Sequence, residues 1–294
     1  MISAVAIVVV LGALIFFHEL GHFLVAKSLG VGVRTFSLGF GKKLAGFVHN
    51  RTEYRLSLVP LGGYVQMVGE SPGDELPGQF QPEESFSEKP AWQRMLVVSA
   101  GPLFNFLLAW LIYLGIFLVI GQQLLAPSIG KVLEDTPAKR AGLQAGDRVV
   151  SVQGEGIEHW SQMARHIRDS AGEELRMQVD REGQLLAFRV TPKVQSAKNL
   201  FGEEVKTPRI GVKASGDKIY RDVGPLEATI SAAKQTWNVI RLTVLGVVKL
   251  IERVVPLETL GGPILIAQLV GEQAQQGLVD VLGLTALISV NLGI

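Results

Sequence analysis

The chain has 294 residues, of which 19% are charged, with a formal net charge of +1 and no cysteine. Near-neutrality excludes the polybasic surface of a nucleic-acid-binding protein, and the lack of cysteine excludes disulfides and thiolate metal ligands. A charged fraction below the ~25% of soluble domains, with a mean hydropathy of +0.31, points to an integral membrane protein.

Residues 1–27 read as a first transmembrane helix, because the run from Met1 to Phe17 carries no charge. The run has no positive start and no small-residue cleavage site, so it does not read as a signal peptide. Directly after it stand His18-Glu19-Leu20-Gly21-His22. Helical residues four apart share a face, so His18 and His22 aim two imidazoles at one metal ion. Glu19 then reaches a metal-bound water as general base, and zinc lowers the pKa of that water toward about 7. Without cysteine the expected ion is Zn2+ held by His and carboxylate. The pattern arises by chance in roughly one chain in a hundred of this length. Two His and a Glu at the end of a spanning helix are costly in a bilayer, and that cost favours the functional reading.

Residues 28–91 form a loop containing Lys42, Lys43, Arg51 and Arg55, which places it on the cytoplasmic side and the N-terminus outside. Glu53–Val59 alternates as a strand, Pro60-Leu61-Gly62-Gly63 reads as a turn, and Tyr64–Val68 as the returning strand. The hairpin either simply stabilises the loop or offers an edge to which an unwound substrate adds as a strand. Periodicity leaves both open. Residues 70–90, rich in Pro, Gly and Glu, read as a mobile connection.

Residues 92–121 read as the second transmembrane helix. Asn105 within it needs a hydrogen-bond partner, either in another helix or in the active site. Residues 127–193 change to a small soluble α/β domain on the outer side, with strands from Ile129, Val149, Leu175 and Leu185 and helices from Pro137 and Ser161. Its His159 and His166 read as surface residues. Residues 194–222 read as a polar, irregular connector. Residues 223–255 form an amphipathic helix region, either lying on the membrane surface or packed on the soluble domain. Gly261-Gly262-Pro263 breaks it. Residues 279–294 start a third membrane helix, and its 14 uncharged residues from Val281 are too few to span.

Several of these segments together resemble the site-two protease family of intramembrane zinc metalloproteases, in its bacterial PDZ-containing, regulator of sigma-E protease branch. They are His18-Glu-Leu-Gly-His22-Phe, Phe36-Ser-Leu-Gly-Phe-Gly41, Pro60-Leu-Gly-Gly-Tyr-Val65, Ala100-Gly-Pro-Leu-Phe-Asn105, Ala141-Gly-Leu-Gln-Ala-Gly-Asp-Arg148 and Leu287-Ile-Ser-Val-Asn-Leu-Gly-Ile294. The resemblance covers nearly the whole chain in order. It departs in having room for one PDZ domain rather than two, and in lacking the L-D-G motif that supplies the family's third zinc ligand. The expectation is therefore a chain truncated before that ligand.

The fold class implied is an α-helical integral membrane protein of the bacterial inner membrane. It carries a membrane-associated, re-entrant β-hairpin and an inserted extracytoplasmic PDZ (α/β) domain. The function implied is regulated intramembrane proteolysis of single-pass membrane proteins such as anti-sigma factors or signal-peptide remnants. His18 and His22 would hold Zn2+ and Glu19 would be catalytic. Gly62, Gly63, Tyr64 and Asn105 would contact substrate, and Ile129-Gly130 would cradle a peptide C-terminus at the PDZ domain. That domain would bind tails or filter by size. The competing class is a non-catalytic, membrane-anchored PDZ adaptor or pseudoprotease.

Overall fold

The computed structural model describes residues 2–71, 76, 78–199, 201–256 and 261–294. Contacts divide the chain into two units, residues 1–116 with 226–247 and 257–294, and residues 117–225 with 248–256.

The first unit is built on α1 (Ile2–Ser28) and α2 (Ala91–Val119). Their windows Val5–Ser28 and Ala91–Val119 are long and apolar enough to cross a membrane. Between them run β1 (Val33–His49) and β2 (Thr52–Met67). After the second unit come α5 (Pro225–Ile251), α6 (Pro263–Gln276) and α7 (Leu278–Leu292). Small residues let α1 and α2 approach closely, since a Cβ on Gly21 would overlap the Ala100 carbonyl. One core gathers Val10 and Leu14 of α1 with Leu108, Val270 and Ile288. Another packs Phe23 and Ala26 against Val33, Val65, Met67 and Val97.

The hairpin turn is not at Pro60–Gly63. Asn50 and Arg51 make it, with φ of 45° and 62°, the left-handed pair that a two-residue hairpin turn of matching twist requires. Gly62, at φ 132°, instead bends β2 within its length, where a Cβ would meet Ile15 and Phe40. The bend brings two stretches of β2 to β1. Thr35 pairs with Gln66 and Glu53, Phe36 with Val65 and Tyr54, and Leu38 with Gly63 and Leu56. The 63–67 stretch therefore forms one edge of the sheet, and β2 packs on α1. Leu44, Phe47 and Val48 near the turn are exposed.

The expected mobile connection falls partly outside the described residues, and its described part is anchored. The Gly32 amide donates to the Glu84 carbonyl at 2.8 Å and the Phe86 amide to the Val68 carbonyl at 2.7 Å. Arg51 Nη2 binds Glu84 at 2.7 Å, and its guanidinium lies over the buried Phe80 ring.

The second unit holds β3 (Gln122–Leu125), β4 (Ile129–Val132), α3 (Pro137–Ala141), β5 (Arg148–Val152), β6 (Glu155–Gly156), α4 (Trp160–Asp169), β7 (Leu175–Arg181) and β8 (Gln184–Val190). It continues through β9 (Lys193–Lys198), β10 (Glu204–Arg209), β11 (Val212–Ala214) and β12 (Lys218–Arg221). The sheet order is β6-β5-β7-β8, and Val149, Met163, Met177 and Val179 fill the core. Residues 194–222 are not an irregular connector. β11 pairs with β4, β12 with β3, and Ile210 is buried in the same core. Strands of three to six residues with few apolar positions leave no periodic signal, so only their partners reveal them.

Candidate active site

α1 places His18 and His22 one turn apart, with ring centroids 4.9 Å from each other. Nδ1 of His22 lies 2.7 Å from the Val97 carbonyl of α2. A carbonyl only accepts, so Nδ1 carries the proton and Nε2 offers its lone pair. Nδ1 of His18 lies 3.1 Å from the side-chain nitrogen of Asn105. Asn105 is fully buried, and its Oδ1 has no hydrogen-bond partner. Turned over, the amide presents Oδ1 to Nδ1–H, and His18 then offers a bare Nε2 as well. Ser289 of α7 donates to the Asn105 carbonyl at 2.7 Å and ties a third helix to this point.

Gly101 completes the arrangement. A Cβ there would overlap Nε2 of both His22 and His18. The two nitrogens thus converge on a space that exists because α2 carries a glycine at this position. Next to it, Pro102 withholds the N–H that would bond the Val98 carbonyl, so the helix ladder is interrupted in the same turn.

Glu19 accepts from the Val65 amide at 3.1 Å. In an antiparallel pair, amides alternate between facing the partner strand and facing away. The Val65 N–H therefore belongs to the outer edge of the 63–67 stretch, and that edge meets the Glu19 carboxylate. Ser37, buried behind it, hydrogen-bonds Ser57 at 3.0 Å.

Of the residues singled out in the sequence, His18, Glu19, His22 and Asn105 come together. Gly62 and Gly63 serve close packing, the first against Ile15 and Phe40, the second against the Ser37 carbonyl. Tyr64 stacks on Phe40 and accepts from Arg55 at 3.4 Å. Ile129 and Gly130 lie on β4. Ile129 is fully buried in the core of the second unit, and Gly130 packs against the Ala214–Ser215 backbone because β4 pairs with β11. The Val65 amide and the Val97 carbonyl had no counterpart in the sequence reading, since backbone groups leave no residue-type signal. His159 caps α4, accepting from the Gln162 amide, and His166 lies 3.4 Å from Glu155.

The donors fit a metal held through two imidazole Nε2 atoms, with the Gly101 cradle leaving room for it. Among the described residues no group of three His, Cys, Asp or Glu forms a complete site.

The sequence profile described as "Peptidase family M50" matches residues 6–294. The protein named "Putative zinc metalloprotease Cj1068" of Campylobacter jejuni is 38% identical over 294 residues, covering 100% of this chain and 78% of that one. "Regulator of sigma-E protease RseP" of Salmonella typhimurium is 31% identical over 388 residues, covering 98% of this chain and 85% of that one. Among solved structures, the PDZ domain of an SdrC-like protein from Listeria monocytogenes is 19% identical, with a TM-score of 0.24 and coverage of 30% of this chain and 84% of that one. The motif at residues 18–22, the convergent imidazoles and a family match that spans both units lead to one assignment: the chain belongs to peptidase family M50, the site-two protease family.

Proposed function

We propose that the chain is the core of a zinc-dependent intramembrane endopeptidase acting on single-pass membrane proteins, among them anti-sigma factors or signal-peptide remnants. In this reading α1 and α2 span the bilayer of the bacterial inner membrane. The N-terminus and the second unit, a PDZ domain, face outward, and residues 28–91 face the cytoplasm.

One observation carries the reading. The Val65 amide on the outer edge of β2 touches the carboxylate of Glu19, beside the two convergent imidazoles. A substrate helix hides its amides in its own hydrogen bonds and must unwind to be cut. The 63–67 edge supplies the missing partners by taking the unwound segment as an added strand. That places the scissile bond next to Glu19. His18 and His22 would hold zinc, which when bound supplies a Lewis acid and a water acidified toward neutrality. Glu19 takes the proton of the attacking water and passes it to the leaving amine. Asn105 and the Val97 carbonyl hold the imidazoles in the tautomers this requires. The PDZ domain meets the substrate first, by binding its tail or excluding bulky proteins.

The test is Glu19→Gln in the full-length protein with a tethered single-pass reporter. Cleavage is expected to fall by about 10²- to 10⁴-fold, the contribution of a general acid–base, with metal content unchanged. Undiminished cleavage would rule out the mechanism.

A further inference from the structure

The outer edge of the 63–67 stretch carries a second capped donor. The Val68 amide donates to the Gly32 carbonyl, just before β1, at 2.8 Å. Alternation then turns the Met67 N–H outward, on the same edge as the Val65 N–H and about 7 Å further along. Met67 donates that N–H to Oε2 of Glu70 at 3.4 Å. Two carboxylates thus occupy the two donors of this edge, Glu19 on Val65 and Glu70 on Met67. They are close enough for their charges to act on each other. The turn before Glu70 brings it back over the edge. Gly69 has a φ of 66°, its carbonyl accepts from the Ser87 amide at 3.2 Å, and a Cβ on it would overlap Ser85. Only glycine fits that turn, so the backbone leading into Glu70 is fixed. Glu70 itself is exposed, and it forms no ion pair among the described residues. Its bond to Met67 is long for a hydrogen bond, so a better-aligned acceptor displaces it at little cost.

We infer that Glu70 is a specificity-determining residue, which caps the Met67 amide until a substrate strand arrives and then selects a basic side chain on that strand. A strand added to this edge places one carbonyl on the Val65 amide and another, from a residue two away, on the Met67 amide. The second carbonyl takes the place of the Glu70 carboxylate. The released carboxylate stays beside the added strand, tethered by the Gly69 turn and without a cation of its own. A Lys or Arg at that point gains a partner, and an Asp or Glu meets a like charge. The preference therefore falls about two residues from the substrate residue opposite Val65. A mere turn cap would account for the contact to Met67 but predicts no dependence on substrate charge. The inference rests on the strand-addition reading of the protease site and adds which substrate side chain that site reads.

The test uses the full-length protein in nanodiscs and single-pass reporters carrying Lys, Gln or Glu at successive positions flanking the mapped cleavage site. kcat/KM is measured for each. At one position the Lys reporter is expected to be cut about five- to tenfold better than the Glu reporter, the size of an exposed charge pair gained set against a like-charge contact avoided. Glu70→Lys should invert that order at the same position and at no other, through KM. Glu70→Gln keeps an acceptor for the Met67 amide and removes the charge, so it should erase the order. It decides the question if Glu70→Lys lowers the melting temperature. A charge preference that survives Glu70→Gln overturns the inference, as does a flat charge profile in a wild-type protein that cuts every reporter, and either result leaves the protease reading standing. No cleavage of any reporter by the wild-type protein sinks that reading and this inference with it.

Discussion

Gly101, Asn105 and the Val97 carbonyl do for the histidines what His18 and His22 cannot do for themselves. An imidazole free to rotate and to exchange tautomers binds a metal weakly, and a fixed partner on Nδ1 removes that freedom. Two predictions belong here. Asn105→Leu keeps the volume near its own and deletes the acceptor, so metal affinity should fall about 10- to 100-fold, the usual cost of losing such a partner. Gly101→Ala should weaken binding at least as much, because its methyl group overlaps both Nε2 atoms. Competition with a chelator, followed by the visible spectrum of the Co2+-substituted protein, measures both without relying on turnover. Metal binding unaltered in either variant would contradict the assigned roles. The sequence singled out His18, Glu19 and His22, because their spacing on a helix is itself the signal. It flagged Asn105 as polar inside an apolar helix, without naming its partner. The contact to His18 lies 87 residues away along the chain, and no local pattern encodes that.

Helices with a uniform run of apolar residues were legible, and so were the strands whose alternation is regular. α1, α2, α4, β5, β7 and β8 fall within a few residues of their expected bounds. The hairpin was legible as a hairpin but with its turn misplaced. Pro60-Leu61-Gly62-Gly63 carries the strongest local turn chemistry, yet the sheet uses Asn50–Arg51 for the turn and the glycines for a bend. Pairing partners decide such a contest, because a strand bent at Gly62 gains the Val65–Phe36 pairing that a tight turn there would forfeit. An element-scale prediction follows from the tie between the β9–β10 loop and the end of α5. Hydrogen bonds from Lys249 and Asn199 hold the Glu203 carboxyl below its usual range. A depressed carboxylate stabilises the fold above its unfolded pKa and loses that contribution as pH falls through the folded value. Thermal melting of the wild-type protein should therefore show an acid-side decline that Glu203→Gln lacks, with the two converging at low pH. Parallel curves across the acid range would show that the pair contributes nothing measurable.

The two ends of the continuous stretch 117–225 of the second unit form one ribbon. β3 pairs with β12, Gln122 opposite Arg221 and Leu125 opposite Lys218, and the Ala126 amide donates to the Asp217 carbonyl at 2.8 Å. Entry and exit are thus adjacent, the arrangement in which an inserted domain is removable as a block. Replacing residues 127–216 by a short Gly/Ser turn should preserve the metal affinity of the first unit and broaden the range of reporters cut. Deleting only 127–193 should do worse, because it leaves β11 without β4 and Ile210 without the domain core. Metal binding lost in the clean excision, with the first unit still folded, would show that the units do not work independently. The sequence by itself determined the long apolar helices, the H-E-x-x-H pattern at residues 18–22 and the regular core of the second unit, because periodicity and residue type act locally. Only the tertiary structure decided that residues 194–222 complete that domain, that the 63–67 edge meets Glu19, and that Gly101 opens the space between the imidazoles. Each of those depends on partners distant in sequence and on backbone groups that every residue shares, so no local pattern of side chains specifies them.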